Sequence, residues 1–177
     1  MRGNHATFQI PSKVGQVIEF GTATDLEQQL QLLVHAKIDA IFHAAAVNDF
    51  QFGKVWTRLP SGELAEVQRG KFSTREGPLL AELIPAPKLI TKLRGWFPKT
   101  WLAGWKYEVE GDRAAAAERA RIQISESQTD AGVVNGPAYG PGFGLLAKES
   151  EFVHIANSPA LFECLERRLP HSCAILE

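Results

Sequence analysis

A strand–helix–strand rhythm in the first fifty residues constrains this chain more than any other feature. Gln16-Val-Ile-Glu-Phe20 is a short run of β type. Thr24-Asp-Leu-Glu27 follows with the spacing of a capping box, in which Thr24 accepts from the backbone and Glu27 reaches back. Leu26, Leu30, Leu33 and Val34 then fall on one face of a helix. Asp39-Ala-Ile-Phe-His-Ala-Ala-Ala-Val47 is an apolar run of the kind a strand buried on both faces shows. Strand, helix and strand at this spacing make a βαβ unit, which predicts a parallel sheet.

The middle of the chain breaks that rhythm. Lys54 to Leu59 and Glu63 to Val67 flank Pro60-Ser61-Gly62, which predicts a hairpin with glycine in its turn. Gly70 to Ser73 and Leu79 to Ile84 extend the same antiparallel excursion, an arm over about residues 54–83. Val55, Trp56, Leu64 and Val67 give an isolated ribbon apolar surface to cover, so the arm is expected to contact a second copy in a homodimer. A solvent-exposed hairpin and a lid are the other two readings.

The parallel rhythm then returns. Pro87 opens a helix carrying Leu89, Ile90 and Leu93 on one face and closing at Gly95. Trp101 to Tyr107 predicts a strand, and Asp112 caps an alanine-rich helix to about Ser127. Ala131 to Asn135 is a further strand, followed by a loop with Gly136, Gly140, Gly142 and Gly144. Leu145 to Lys148 and Phe152 to Ile155 suggest a closing hairpin, and Ser158 a cap for a last helix through Leu169. The predicted class is α/β, a single domain over residues 1–177 with a mostly parallel sheet and an antiparallel β-hairpin arm.

Composition narrows the function classes. The chain is 45% hydrophobic and 22% charged, enough for a sizeable core. Its net charge of −1 favours neither nucleic acid nor a membrane surface as partner. The longest apolar run is far too short to span a bilayer, and no leader-like segment precedes it. Cys164 and Cys173 lack metal-type spacing and read as reduced thiols, so the expected setting is cytoplasmic. The five histidines are scattered, with no HExxH or His-Cys pattern, and no metal-ligand set is predicted. His43 is read as a packed strand residue.

In open α/β sheets, ligands bind beyond the carboxyl ends of the parallel strands. Small residues in Ala44-Ala-Ala-Val-Asn-Asp-Phe50 let a flat ligand approach, and Asp49 can accept from an exocyclic amine; a packed strand end with an Asx turn is the plainer account. The other two ends are Leu102-Ala-Gly-Trp-Lys106, and Val133-Val-Asn135 running into the glycine loop. That loop allows a backbone nest for phosphate, although it matches neither the Walker nor the GxGxxG pattern. Lys71, in Arg69-Gly-Lys-Phe72, can meet a phosphate as a point charge; an exposed lysine is more often simply solvated.

The order of these pieces resembles the phosphopantothenoylcysteine synthetase (phosphopantothenate–cysteine ligase) family, the synthetase part of the DNA/pantothenate metabolism flavoproteins. The resemblance runs from about Val17 to Leu169. It rests on Asp39 to Phe50 with its Ala-Ala-Val-Asn-Asp-Phe ending, on Gly70-Lys71 and on Pro87-Lys-Leu-Ile90. It continues through Leu102-Ala-Gly-Trp105, Asp130-Ala-Gly-Val-Val-Asn135 and Gly142-Phe-Gly144. The resemblance implies a Rossmann-like three-layer fold. It also implies activation of 4′-phosphopantothenate by CTP or ATP with Mg²⁺, giving an acyl-nucleotide and pyrophosphate, and then attack by the cysteine amine. On the same grounds Ala45 and Asp49 would face the nucleotide base, with Asp49 accepting from its amino group. Lys71 would stabilise charge on the triphosphate, Trp105 would pack on the nucleotide, and Asn135 would line the cleft.

The chain departs from the family pattern in places. The family opens with a strand, a glycine-rich turn and a Ser/Gly-rich segment with a substrate-contacting asparagine, and Met1 to His5 enters that pattern partway. An amino-terminally truncated domain that binds nucleotide weakly and ligates little by itself is therefore expected. A second lysine near Lys71 is Ser73 or Thr74 here, Asn135 is followed by Gly136, and a lysine before Asp130 is missing. Two rival readings stand beside the ligase. One is a nucleotide-binding module without turnover. The other is a dehydrogenase of the short-chain type, disfavoured because Tyr107 and Tyr139 have Gly111 and Phe143, not lysine, four residues on.

Overall fold

The computed structural model of the chain describes residues 1–4, 6–7, 15–68, 77–148 and 152–169. In chain order its elements are β1 (Arg2–Gly3), β2 (Glu19–Phe20), α1 (Ala23–Leu32), β3 (Ala40–His43), β4 (Phe50–Arg58), β5 (Leu64–Glu66) and β6 (Leu79–Pro85). These are followed by α2 (Ile90–Trp96), β7 (Trp101–Tyr107), α3 (Arg113–Ser127), β8 (Ala131–Asn135), β9 (Phe143–Ala147), β10 (Val153–Ile155) and α4 (Ser158–Glu166). The chain divides into two compact units, one of Met1–Val47 with Leu89–Glu177 and one of Asn48–Lys88.

The first unit is built on a five-stranded sheet of order β10-β9-β8-β7-β3. Strands β3, β7 and β8 are parallel neighbours, and β9 and β10 return antiparallel. Alternation along the strands divides two faces. Leu102 packs with Leu26 and Leu30 of α1 and with Ile90 and Leu93 of α2, while Val134 packs with Ala116 and Ala120 of α3. On the opposite face Ala103 and Val133 pack with Leu161 and Leu165 of α4. These are the three layers of a Rossmann-like domain. Each buried leucine or valine contributes about 1.5–3 kcal/mol by leaving water.

Asp130 ties the layers at the amino ends of the strands. Its Oδ2 accepts from Arg94 Nη2 at 2.7 Å and from the Leu102 N–H at 2.8 Å. Beside the main sheet, β1 and β2 form a separate parallel pair.

The second unit is a three-stranded antiparallel sheet of order β5-β4-β6. Pro60, Ser61 and Gly62 make the turn, closed by Gly62 N–H to Leu59 O at 2.9 Å, with Gly62 at φ +91°. The register of β4 on β6 shifts between Phe52 and Val55. At Gly53, inside that bulge, a Cβ would lie 2.5 Å from Glu82 Oε2 and 2.6 Å from Ile84 Cδ1. Only glycine fits there without displacing both. Lys54 Nζ meets Glu66 Oε2 at 2.9 Å, and that hydrogen bond raises the Lys54 pKa.

Several expectations need correction. The capping box of α1 is Thr22 with Asp25, not Thr24 with Glu27: Thr22 Oγ1 accepts from Asp25 N–H and Asp25 Oδ2 from Thr22 N–H, both at 3.0 Å. Glu27 instead pairs with Lys92 Nζ at 2.6 Å. The helix expected from Pro87 begins at Ile90 and keeps Gly95 inside it. Asn157, not Ser158, caps α4. Only Glu19 and Phe20 of the first β-type run are strand.

The apolar run at 39–47 yields four strand residues rather than a strand buried on both faces. Among the described residues β3 is the edge of its sheet, and Phe42 is 43% exposed. An edge strand pairs on one side only, so pairing does not carry the run through Ala44 to Val47.

Candidate functional site at the carboxyl ends of the parallel strands

Strands β7 and β8 end level, Tyr107 in register with Asn135, whereas β3 ends earlier, His43 being in register with Gly104. Of the residues expected at the site, this end of the first unit holds Ala45, Trp105 and Asn135. Ala45 follows β3 and packs against the α1 and α2 core. Trp105, on β7, sits edge-on to Phe143 with ring centroids 6.4 Å apart and packs on the Ala103 and Val133 cluster. Asn135 closes β8; its Oδ1 is buried without a hydrogen-bond partner, while its carbonyl accepts from Glu108 N–H at 2.8 Å. An orphaned buried acceptor costs about 1–3 kcal/mol, a cost that a ligand donor would relieve. Asp49 belongs to the second unit, where its carbonyl accepts from Ala86 N–H at 2.8 Å and its side chain is exposed. Lys71 lies outside the described residues.

A cavity of about 960 Å³ opens along β3 in the first unit. Phe20, Leu26, Leu30, Ile41 and Phe97 give it apolar walls, and Ala45 and His43 line it near the strand end. Burial lowers the His43 pKa below its ordinary 6.5, so the imidazole is neutral at pH 7. His43 is thus half-buried on a cavity wall, not sealed in a core.

Sequence reasoning missed a charged group at the end of β7. Glu108, whose side chain is only 12% exposed, holds Arg119 Nε of α3 at 2.7 Å and stands 3.4 Å from Lys106 Nζ. Arg119 also donates to the Glu110 carbonyl. The Glu108 backbone accepts from Ala138 N–H at 3.0 Å. Gly136, at φ +113°, leaves no room for a Cβ, which would overlap the Glu108 carbonyl and lie 2.8 Å from its nitrogen. Glu108 therefore clasps the end of β8 and the start of the glycine loop with its backbone, while its side chain holds α3 through Arg119. No motif spacing announces this, because Glu108 lies two residues from Lys106 and eleven from Arg119.

The glycine loop is folded around Tyr139, which is 1% exposed. Arg113 lies over the Tyr139 ring at 4.7 Å and donates to its carbonyl at 3.0 Å. The Tyr139 hydroxyl is 3.0 Å from Phe143 O and 2.8 Å from His154 Nδ1. Burial raises the Tyr139 pKa, with Arg113 opposing in part.

The coenzyme A biosynthesis bifunctional protein CoaBC of Thermococcus kodakarensis is 30% identical to this chain over 128 residues, covering 71% of the chain and 28% of that protein. The resemblance to the phosphopantothenoylcysteine synthetase family is shown. The chain spans under a third of this curated relative's length. No family model matches. Among solved structures, the DNA/pantothenate metabolism flavoprotein from Streptococcus pneumoniae superposes with a TM-score of 0.65 at 19% identity, over 85% of this chain and 72% of that one. The C-terminal domain of a CoaBC bifunctional protein superposes at 0.55 with 15% identity, over 85% and 62%. At those identities the two superpositions show a shared fold.

Among the described residues no group of three His, Cys, Asp or Glu gathers as a metal site, and no helix is long and apolar enough to cross a membrane.

Proposed function

We propose that the chain acts as a phosphopantothenate–cysteine ligase of coenzyme A biosynthesis, a cytoplasmic carbon–nitrogen ligase. The observation that carries this reading is the 30% identity to the coenzyme A biosynthesis protein across 71% of the chain. In the proposed reaction a carboxylate oxygen of 4′-phosphopantothenate attacks the α-phosphorus of CTP or ATP, and pyrophosphate leaves. The cysteine amine then attacks the acyl carbon, the nucleoside monophosphate leaves, and the amine loses a proton to solvent. Chemistry of this kind asks the protein for positioning and charge neutralisation. Mg²⁺ bound with the nucleotide would supply part of that charge neutralisation.

In the first unit, the orphaned Asn135 Oδ1 supports a ligand donor at the end of β8; Trp105 offers apolar surface on the α4 face of the sheet, and Ala45 on the α1 and α2 face. For Asp49 as acceptor of the base amine and Lys71 as stabiliser of triphosphate charge, the support is the family resemblance. The assay is pyrophosphate release from CTP and from ATP with Mg²⁺, with and without 4′-phosphopantothenate and cysteine. Slow release that requires phosphopantothenate is the expected result, in keeping with a chain that ligates little by itself. Nucleotide binding with no release under any combination would favour a binding module without turnover.

The exposed apolar residues of the second unit, Phe50, Phe52, Leu83 and Ile84, support a homodimer contact through that unit. Sedimentation of the wild type and a Phe52→Ser/Leu83→Ser double variant tests it: the expected outcome is a dimer that the variant shifts to monomer.

A further inference from the structure

We infer that Lys106 is an anion-binding residue of the proposed nucleotide site, contacting a phosphoryl oxygen of the bound triphosphate; this rests on the ligase reading above. Lys106 is next to last in β7, in register with the fully buried Val134 of β8. It therefore stands at the carboxyl end of the parallel strands, on the α3 side, two residues past Gly104. Its side chain is 34% exposed, so its stem is partly packed while its head reaches solvent. That arrangement fixes much of the side chain before any ligand arrives, which lowers the entropy cost of binding.

The ammonium is close to one carboxylate and committed to none. Glu108 Oε1 is 3.4 Å away, and no hydrogen bond from Lys106 Nζ forms among the described residues. Glu108 meanwhile has a close cation of its own, Arg119 Nε at 2.7 Å from Oε2. Two cations thus share one carboxylate, and the tighter one neutralises it. A loose, half-exposed pair such as Lys106 with Glu108 contributes little to stability, so stability alone gives Lys106 little to do. An ammonium held only by that loose pair at a strand end suits a phosphate chain, which it meets as a point charge without strict geometry. The clasp by Glu108 also holds the Asn135 end of β8 next to it, so donor and orphaned acceptor stand on adjacent strands.

The test titrates the wild-type chain, Lys106→Met, Lys106→Arg and Asp49→Asn with Mg²⁺–CTP, Mg²⁺–ATP, cytidine, adenosine and inorganic tripolyphosphate, and records unliganded melting temperatures. For Lys106→Met the expected result is about tenfold or greater weakening toward the preferred triphosphate and toward tripolyphosphate. Nucleoside affinity and melting temperature should not move, and Lys106→Arg should recover most of the loss. Asp49→Asn should instead weaken the nucleoside. Unchanged triphosphate and tripolyphosphate affinity in Lys106→Met would overturn the inference and leave the nucleotide reading intact. A melting temperature lowered as much as in Glu108→Gln would assign Lys106 a structural role and overturn it too. A wild-type chain that binds tripolyphosphate through Lys106 but no nucleotide would keep the anion contact and sink the nucleotide reading. Binding of neither would sink both.

Discussion

The two units of this chain solve the same problem, covering apolar side chains, to very different degrees. In the first unit Leu102, Val133, Val134 and Leu145 are fully buried between helices on two faces. In the second, all seven residues of β6 are exposed, and Phe52 is 79% exposed. A sheet becomes a core only when something packs on it, and a three-stranded ribbon is near the lower limit of independent stability. The difference teaches that stability and ligand geometry are built into the first unit, whereas the second holds apolar surface in reserve.

The largest effect should come from cutting into that core. Leu93→Ala, at a site 1% exposed between α1 and β7, should cost about 2–5 kcal/mol, read as a shift in urea midpoint. A loss below 1 kcal/mol would mean that the helical layer is far looser than its packing indicates. Next is Gly136→Ala, expected to cost about 1–3 kcal/mol, because it places a side chain in a left-handed position against the Glu108 backbone. It should also weaken any ligand held at Asn135, which Leu93→Ala should not do in the folded fraction.

A smaller effect follows from His43. Its folded pKa lies below 6.5, so between that value and the lowered one the unfolded chain binds a proton that the folded chain does not. Stability is therefore complete above about pH 6.5 and declines as pH falls through that window, by no more than about 1.4 kcal/mol per pH unit for one proton. A His43→Leu variant should show a shallower decline between pH 7.5 and 5. An identical slope in the two proteins would remove His43 from the account. The smallest change belongs to the second unit: Leu83→Ser, 58% exposed, should alter unfolding by less than about 0.5 kcal/mol at low protein concentration. A larger effect that grows with concentration would sharpen the contrast, by showing that the exposed ribbon is covered in an assembly.

The central elements were legible to the residue. Trp101 to Tyr107, the Asp112 cap and Ala131 to Asn135 stand where the pattern put them, because strands flanked on both sides and a helix with a lone acidic cap leave few alternatives. The errors gathered where two local answers compete. Thr22 and Thr24 each have an acidic residue three positions on, and Asn157 and Ser158 are adjacent cap formers, so only the packed structure chooses. The apolar run at 39–47 could not reveal that, among the described residues, β3 has a neighbour on one side alone, since burial on both faces depends on residues far away in sequence. The site divided likewise. Ala45, Trp105 and Asn135 could be placed by the rule that ligands gather at strand ends, whereas the Glu108 clasp and the cavity along β3 required distant segments to meet.

The hydroxyl of Tyr139 couples its own proton to the tautomer of a histidine. It carries one hydrogen and stands within bonding distance of two atoms, the Phe143 carbonyl oxygen and the His154 ring nitrogen. When the phenol donates to the carbonyl, its oxygen accepts from the imidazole, which then carries a proton on Nδ1. When the phenol donates to Nδ1 instead, a neutral imidazole carries its proton on Nε2. The turn of one hydroxyl thus sets which side of the ring stacked on Tyr139, with centroids 5.8 Å apart, is basic. Nitrogen chemical shifts of His154 would tell the two arrangements apart, and Tyr139→Phe would release the coupling.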